Sequence, residues 1–451
     1  MSASRCTFRG VVIGLFLCTG LKPALSQSLL AIYQQAKTQD AQYQAARKAF
    51  VAAMEKLPQA RAGLLPSVSL SANKNRQFGT IAFADADSVD RDVQSWSWNA
   101  QLTQPLIRWA NWVGYQQANA ATQQATVQFA LAEQDLILRV SQAYLDVLVA
   151  SQSVEVMQSQ SLAMGEQLAL AQRTFAVGTG TVTDVHEAKA KWALSQAQSV
   201  AVSNELDSKL SELEKILGAP PQIHVGRHHH DVLASQVAKP LAEWLAEAGV
   251  HNLQIKIQQA ALDVARKEVA KNEAAHLPTL DLVLNRAANY NSGSLSSPAD
   301  LATRVSSNQA GIQLTIPLYA GGGTQSRVRE ALALEDKAQD ELSFARRNAT
   351  SQIRQAFAGV RNGHAQIAAL QMAVDAGRNS VESNKIGFRI GTRINPDVLN
   401  AEQQLYASLR DLSKARVETA IQGLKLKAAA GALTEDDLAQ LDSRLVSGEK
   451  K

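Results

Sequence analysis

The chain has 451 residues, 46% of them apolar and only 5% aromatic, with 11 prolines. Abundant Ala and Gln with little Pro favour helices packed through small side chains and argue against an aromatic-cored sandwich. The formal charge is only +4, and no basic run carries interleaved aromatics, which excludes a nucleic-acid surface.

At the N-terminus, Arg5 and Arg9 precede an apolar run, Val11 to Cys18, that is too short to span a bilayer as a mature helix. Ala24 and Ser26 then occupy the small-residue positions of a cleavage site, so residues 1–26 are predicted to be a signal peptide. The alternative is a retained membrane anchor. Leu17 is too bulky to precede a lipidated Cys18. Cleavage removes Arg5, Arg9 and Lys22, taking the formal charge from +4 to +1, together with Cys6 and Cys18, the only cysteines. The exported chain then needs no disulfide and offers no thiol chemistry. No later segment reaches the roughly 18 apolar residues of a spanning helix, which leaves a closed β-barrel as the other way through a membrane.

The mature chain opens with a helix predicted from about Leu29 to Arg61, ended by Leu65-Pro66. Two strands of about nine residues follow. Val68, Leu70 and Ala72 alternate with Ser67, Ser69, Ser71 and Asn73; Trp96, Trp98, Ala100 and Leu102 alternate with Ser97, Asn99, Gln101 and Thr103. One face is apolar and the other polar, as in a tilted membrane strand or in a sheet resting on a soluble core. Residues 76–95 between them, with Asp85, Asp87, Asp90, Arg91 and Asp92, read as a solvated loop. Pro105 is predicted to open a long helix reaching Val177. Within it Ile137, Val140, Tyr144, Val147, Ser151 and Val154 form a coiled-coil seam, and Leu138, Leu145 and Val149 a second stripe. Such a helix needs neighbours on two sides. Gly178-Thr179-Gly180 turns the chain back, and a return helix runs to Gly218.

Everything then repeats. Leu65-Pro66 and Pro105-Leu106 recur 212 positions later as Leu277-Pro278 and Pro317-Leu318; Phe175, Gly178-Thr179 and Asp184-Val185 recur 213 positions later as Phe388, Gly391-Thr392 and Asp397-Val398. The second half has a helix from about Leu241 to Ala275, strands around Leu280, Leu282, Leu284 and Ala310, Ile312, Leu314, Ile316, and a polar loop over 291–308. The domains are thus 27–218 as first repeat, 219–239 as linker, 240–431 as second repeat and 432–451 as a tail. Pro220, Pro221 and the adjacent His228, His229 and His230 mark the linker as solvated rather than metal-binding. No cofactor or catalytic motif stands in context, so no enzyme is expected. Val68, Leu70, Trp98, Ala100, Leu102, Leu282, Leu284, Ile312 and Leu314 are expected to face lipid.

Four motifs, in this order and spacing, give the chain a family likeness: His276-Leu277-Pro278-Thr279-Leu280-Asp281-Leu282, Pro317-Leu318-Tyr319-Ala320-Gly321-Gly322, Gly391-Thr392-Arg393 with Asp397-Val398-Leu399, and Leu433-Thr434-Glu435-Asp436-Asp437-Leu438. Over nearly its whole mature length the chain resembles the TolC family of outer-membrane factors. The resemblance implies a mostly α fold with a membrane β-barrel: a homotrimer in which four strands from each of three chains close a twelve-stranded barrel above a long α-helical periplasmic barrel. The linker and tail would pack at its equator. It implies an outer-membrane channel-tunnel for type I secretion or tripartite efflux, coupled through a periplasmic adaptor (membrane fusion protein) to an inner-membrane ABC or RND transporter. A periplasmic coiled-coil adaptor or structural protein is the alternative.

Carried over by resemblance, the tips Val177-Gly178 and Ile390-Gly391 would dock the adaptor. Arg393 would close the gate against Thr183 and Asp184 across a protomer boundary. Phe388 stands where the family has a tyrosine that helps hold the closed state, so that hydrogen bond is missing. Asp397 would form a cation-attracting ring in the aperture, with Asn400 in place of a second acid.

Overall fold

Each half of the chain turns the same sequence of signals into the same sequence of elements. The computed structural model describes residues 28–82, 87–221, 239–297 and 299–447. The first half comprises α1 (Leu29–Gln39), α2 (Ala41–Met54), α3 (Lys56–Ala62), β1 (Ser67–Ile81), β2 (Val89–Ile107), α4 (Trp109–Ala176) and α5 (Val182–Leu217). The second comprises α6 (Leu241–His251), α7 (Leu253–Glu273), a short 3-10 turn, β3 (Thr279–Asn291), β4 (Thr303–Thr315), α8 (Gly323–Arg389) and α9 (Asn395–Ala430), followed by α10 (Glu435–Ser447). The four strands form one antiparallel sheet in the order β1-β2-β3-β4. With 68 and 67 residues, α4 and α8 are each about 100 Å long.

The repeat extends to the helix caps. The helices expected over 29–61 and 241–275 are interrupted, and the main breaks lie 212 positions apart, at Asp40 and Asn252. Asp40 Oδ1 accepts the Tyr43 N–H at 2.6 Å, and Asn252 Oδ1 accepts the Ile255 N–H at 3.0 Å. Each starts a new helix by satisfying one of its orphan donors. A further break after Met54 is explained by Pro58, which has no N–H for the Met54 carbonyl.

Three other expectations are corrected. The strands are 15, 19, 13 and 13 residues long rather than about nine. Most of 76–95 is therefore strand, because the polar residues pair across the hairpin: Arg76 grips both Asp92 oxygens, and Thr80 Oγ1 donates to Asp90 at 2.5 Å. Likewise 291–308 is loop only between Asn291 and Thr303. Neither proline opens its helix. Pro105 stays in β2 at a register shift, where a missing N–H does least damage. After Pro317, Gly321 and Gly322 at φ 61 and 79 make the turn into α8.

The main core lies midway along the helices. Leu29, Ile32 and Tyr33 of α1 meet Leu136, Val140, Tyr144 and Leu148 of α4, Leu213 and Leu217 of α5, Leu424 of α9, and Leu438, Leu441 and Leu445 of α10. The expected seam of α4 is buried from Ile137 to Val147, and the described part of the tail packs into this core through Leu438, Leu441 and Leu445. Beside this core, Arg139 forks onto Asp40, Nη1 to Oδ2 and Nη2 to Oδ1 at 3.0 Å each. Burial alone would raise the Asp40 carboxyl, but the Arg139 guanidinium and the Tyr43 N–H outweigh it and hold the group below its ordinary value. The predicted signal peptide and the linker histidines His228–His230 lie outside the described residues.

Candidate channel wall and tips

Residues directly opposite in an antiparallel pair share a face. Val68 lies opposite Leu102, Leu102 opposite Leu284, and Leu284 opposite Ala310. Leu70 lies opposite Ala100, Ala72 opposite Trp98, and Leu282 opposite Ile312, with Leu280 against Leu314 one row further on. All the residues expected to face lipid thus fall on one face, and Val68 and Leu70 are 73% exposed. The opposite face pairs Ser69 with Gln101, Ser71 with Asn99, and Asn285 with both Gln101 and Gln309. Val283 breaks the polar face, and Arg286 with Asn308 breaks the apolar one. Among the described residues, both edges, β1 and β4, lack a partner strand.

Where the sheet passes into the helices, Arg108 binds Asp281 through two bonds, Nε to Oδ1 at 2.9 Å and Nη2 to Oδ2 at 2.6 Å. Trp109 and Trp112 at the start of α4 and Tyr319 after β4 are exposed at this level. No signal in the sequence paired Arg108 with Asp281, since the two lie in different halves at positions that are not equivalent.

The two tips share one backbone. Gly178 and Gly391 are left-handed at φ 76 and 79. Thr179 N–H reaches back to the Thr174 carbonyl at 3.0 Å, and Thr392 N–H to the Gly387 carbonyl at 2.9 Å, closing each helix as a glycine C-cap does. Val177 and Ile390 project at 74% and 69% exposure.

The side chains at the tips differ. On the first, Thr181 and Asp184 form a capping box: Asp184 Oδ2 accepts the Thr181 N–H at 3.1 Å and its hydroxyl at 2.7 Å. Thr183 is exposed beside it. On the second tip Ile394 takes the capping position and offers no side-chain bond. Asp397, left out of any cap, lies 3.7 Å from Arg393. Arg393 is laid over Gly387, where an added Cβ would come within 2.7 Å of Arg393 Cγ. Phe388 is half-buried. Within one chain, Arg393 meets neither Thr183 nor Asp184.

Two lysines near the tips were not singled out from the sequence. Lys191 Nζ donates to Asn400 Oδ1 at 3.2 Å and Gln403 Oε1 at 2.9 Å. Lys385 Nζ stands 2.6 Å from the carboxylate of Glu402, which is 2% exposed. Among the described residues no cluster of His, Cys, Asp or Glu could hold a metal ion, and no helix is long and apolar enough to cross a membrane.

The family model described as outer membrane efflux protein matches residues 32–219 and 244–432, once per half. The chain is 32% identical over 439 residues to the proteases secretion protein PrtF of Dickeya chrysanthemi, covering 96% of this chain and 94% of that one. It is 32% identical to the alkaline protease secretion protein AprF of Pseudomonas aeruginosa, covering 97% and 91%. It is 29% identical to the outer membrane protein TolC of Escherichia coli, covering 96% and 88%. Among solved structures, the outer membrane protein VceC of Vibrio cholerae superposes with a TM-score of 0.75 at 17% identity, covering 89% of this chain and 96% of that one.

Proposed function

This chain belongs to the outer membrane efflux protein family, and on that premise we propose that three copies join β4 of one to β1 of the next, closing a twelve-stranded barrel. It is an outer-membrane export channel whose helices lie on the periplasmic side; the adaptor alternative does not fit this family. The observation that carries the closure is a sheet with one apolar face, one polar face and, among the described residues, no partner strand at either edge. Lipid cannot satisfy the N–H and C=O groups of an open edge, so the edges must meet. The polar face of Ser71, Asn99, Asn285 and Gln309 then lines a water-filled passage.

The helical hairpins carry the tips about 100 Å from the sheet. There the exposed Val177 and Ile390 suit an apolar contact with a periplasmic adaptor bound to an inner-membrane transporter. Arg393 closes the passage against Thr183 and Asp184 of the adjoining protomer, and Asp397 contributes a ring of carboxylates. The cargo is a protein. This rests on two relatives, matched over nearly their full length, that are named for protease secretion. It favours an ABC transporter over an RND pump.

Deleting the gene and comparing the extracellular proteins with drug susceptibility tests the assignment. Loss of one or a few secreted proteins is expected, restored by the wild-type chain but not by Gly178→Trp or Gly391→Trp. An added Cβ at either glycine meets nothing within 4 Å, but the left-handed backbone strains any side chain there. The strain is confined to the exposed turn, and trimer recovery from the membrane is measured alongside export so that loss of docking is read only from assembled variants. Intact secretion with raised drug sensitivity would overturn the protein-cargo reading, and normal export by both tip variants would overturn docking.

A further inference from the structure

One row of the sheet carries charge where the surrounding face is apolar. Lys74 lies opposite Trp96, Trp96 opposite Tyr290, and Tyr290 opposite Arg304. The row therefore crosses all four strands on the face of Val68, Leu102 and Ile312, with an aromatic on each central strand and a cation on each edge strand. The Trp96 and Tyr290 rings stack with centroids 6.1 Å apart, and Arg304 Cζ lies 5.9 Å from the Tyr290 centroid. A guanidinium held against a ring still has its N–H donors free at the edge.

The height of the row is set by the strands. From Leu280 to Tyr290 is five steps of two residues, roughly 25 Å of height for a tilted strand. That is about the thickness of a barrel's apolar band, which ends in aromatic girdles. Trp109, Trp112 and Tyr319 stand at the end where the helices leave, so Lys74, Trp96, Tyr290 and Arg304 mark the outer boundary.

Two rows below, Arg286 lies opposite Ala100 and Asn308. A cation inside the apolar band costs about 2–4 kcal/mol near the midplane unless it reaches a headgroup. Between Arg286 and the upper row stand only Ala288 and Ser306 on β3 and β4, and these small residues lie opposite each other. They form a low step on this face, with Arg286 below, Arg304 above and Trp98 opposite Ala288 at its side. Among the described residues no carboxylate pairs with Lys74, Arg286 or Arg304. Arg76 and Arg91, nearer the loops, are by contrast matched by Asp92 and by the Ser294 and Ser297 carbonyls.

We propose that this step binds a phosphate-bearing glycolipid of the outer leaflet. Arg286 and Arg304 would grip a headgroup phosphate, Lys74 would supply a further cation along the row, and the acyl chains would lie on Leu284, Leu102 and Ile312. Guanidinium forks suit phosphate oxygens. The inference rests on the reading that this face meets lipid.

Native mass spectrometry of the mature trimer, released from detergent with added diphosphoryl lipid A, tests it. The wild-type trimer should retain lipid A, with retention at least about tenfold lower for Arg286→Gln/Arg304→Gln, the scale expected for losing two charge-assisted contacts. Arg286→Lys/Arg304→Lys should recover part of it. Dephosphorylated lipid A should be lost from the wild type, and excess inorganic phosphate should not displace the intact lipid. Equal retention of the dephosphorylated lipid, or undiminished retention by the Gln variant, overturns the proposal. Should the double Gln variant not assemble, Arg304→Gln alone decides by the same criterion. Spin labels at Ala72 and Ser71 keep the premise separate. Oxygen accessibility at Ala72 with nickel accessibility at Ser71 supports the lipid face whatever the lipid result, whereas the reverse overturns both.

Discussion

Arg108 and Asp281 join the two halves of the chain at the level where sheet becomes helix, through a two-bond fork of 2.9 and 2.6 Å. The partners are unequal. Asp281 is 9% exposed as a side chain and Arg108 is 39% exposed. Arg108→Ala strands a buried carboxylate, which costs about 3–5 kcal/mol. Asp281→Asn leaves a guanidinium that can turn to water and costs about 1–3 kcal/mol. Thermal dissociation of the purified trimer should therefore fall further for Arg108→Ala. The opposite order would show that the fork does not hold this junction.

Asp40 serves both as a cap and as the partner of Arg139. Asp40→Asn keeps the cap, as Asn252 does in the other half, and loses the ion pair; Asp40→Ala loses both and should be lower by about a further 1 kcal/mol. The folded carboxyl sits below its ordinary value. Its contribution is thus fully present above the unfolded value of about 4 and is lost as pH falls through the folded one. The stability gap between wild type and Asp40→Asn should be constant from about pH 5 to 8 and shrink below about pH 4. A gap that persists to pH 2 would assign it to packing instead.

Leu102 and Gln101 are neighbours on opposite faces of β2. A charge on the lipid side near the bilayer midplane costs about 2–4 kcal/mol, and on the lumen side much less. Membrane fractionation should find Leu102→Arg strongly depleted as trimer and Gln101→Arg close to wild type. Equal depletion of the two would count against the assigned faces.

At the proposed gate, Asp184 also closes a capping box with Thr181, so Asp184→Ala would disturb the tip as well as the proposed link to Arg393. Asp184→Asn keeps an acceptor for Thr181 and removes only the charge. Single-channel conductance in planar bilayers should rise for Arg393→Ser and for Asp184→Asn, and the double variant should add little, since both break one link. Unchanged conductance in both singles, with trimers intact, would remove this pair from the gate.

Asn400 holds the Lys191 ammonium at 3.2 Å. A carboxylate placed at 400 would therefore be half-neutralised within its own chain. Asn400→Asp alone should strengthen block by trivalent cations only slightly, and Asn400→Asp with Lys191→Met substantially, because local focusing follows net charge. Equal block in the two variants would place position 400 away from the passage.

The doubled plan, the alternating strands, the glycine tips and the apolar seam of α4 were legible in the sequence because each is written in neighbouring residues. Periodicity shows which side chains share a face, and glycine shows where the backbone turns left-handed. Strand length was not legible: 76–81 and 89–95 are too polar to read as strand until Arg76 is known to lie beside Asp92. Nor were the interruptions after Gln39 and His251, since Asp40 and Asn252 act as caps only once buried against Arg139 and the Ala429 carbonyl. The Arg108–Asp281 fork, the Lys191–Asn400 contact and the row from Lys74 to Arg304 join residues from distant parts of the chain. Their energies depend on register and burial, which arise only when the two halves pair, and so the tertiary structure alone decided them.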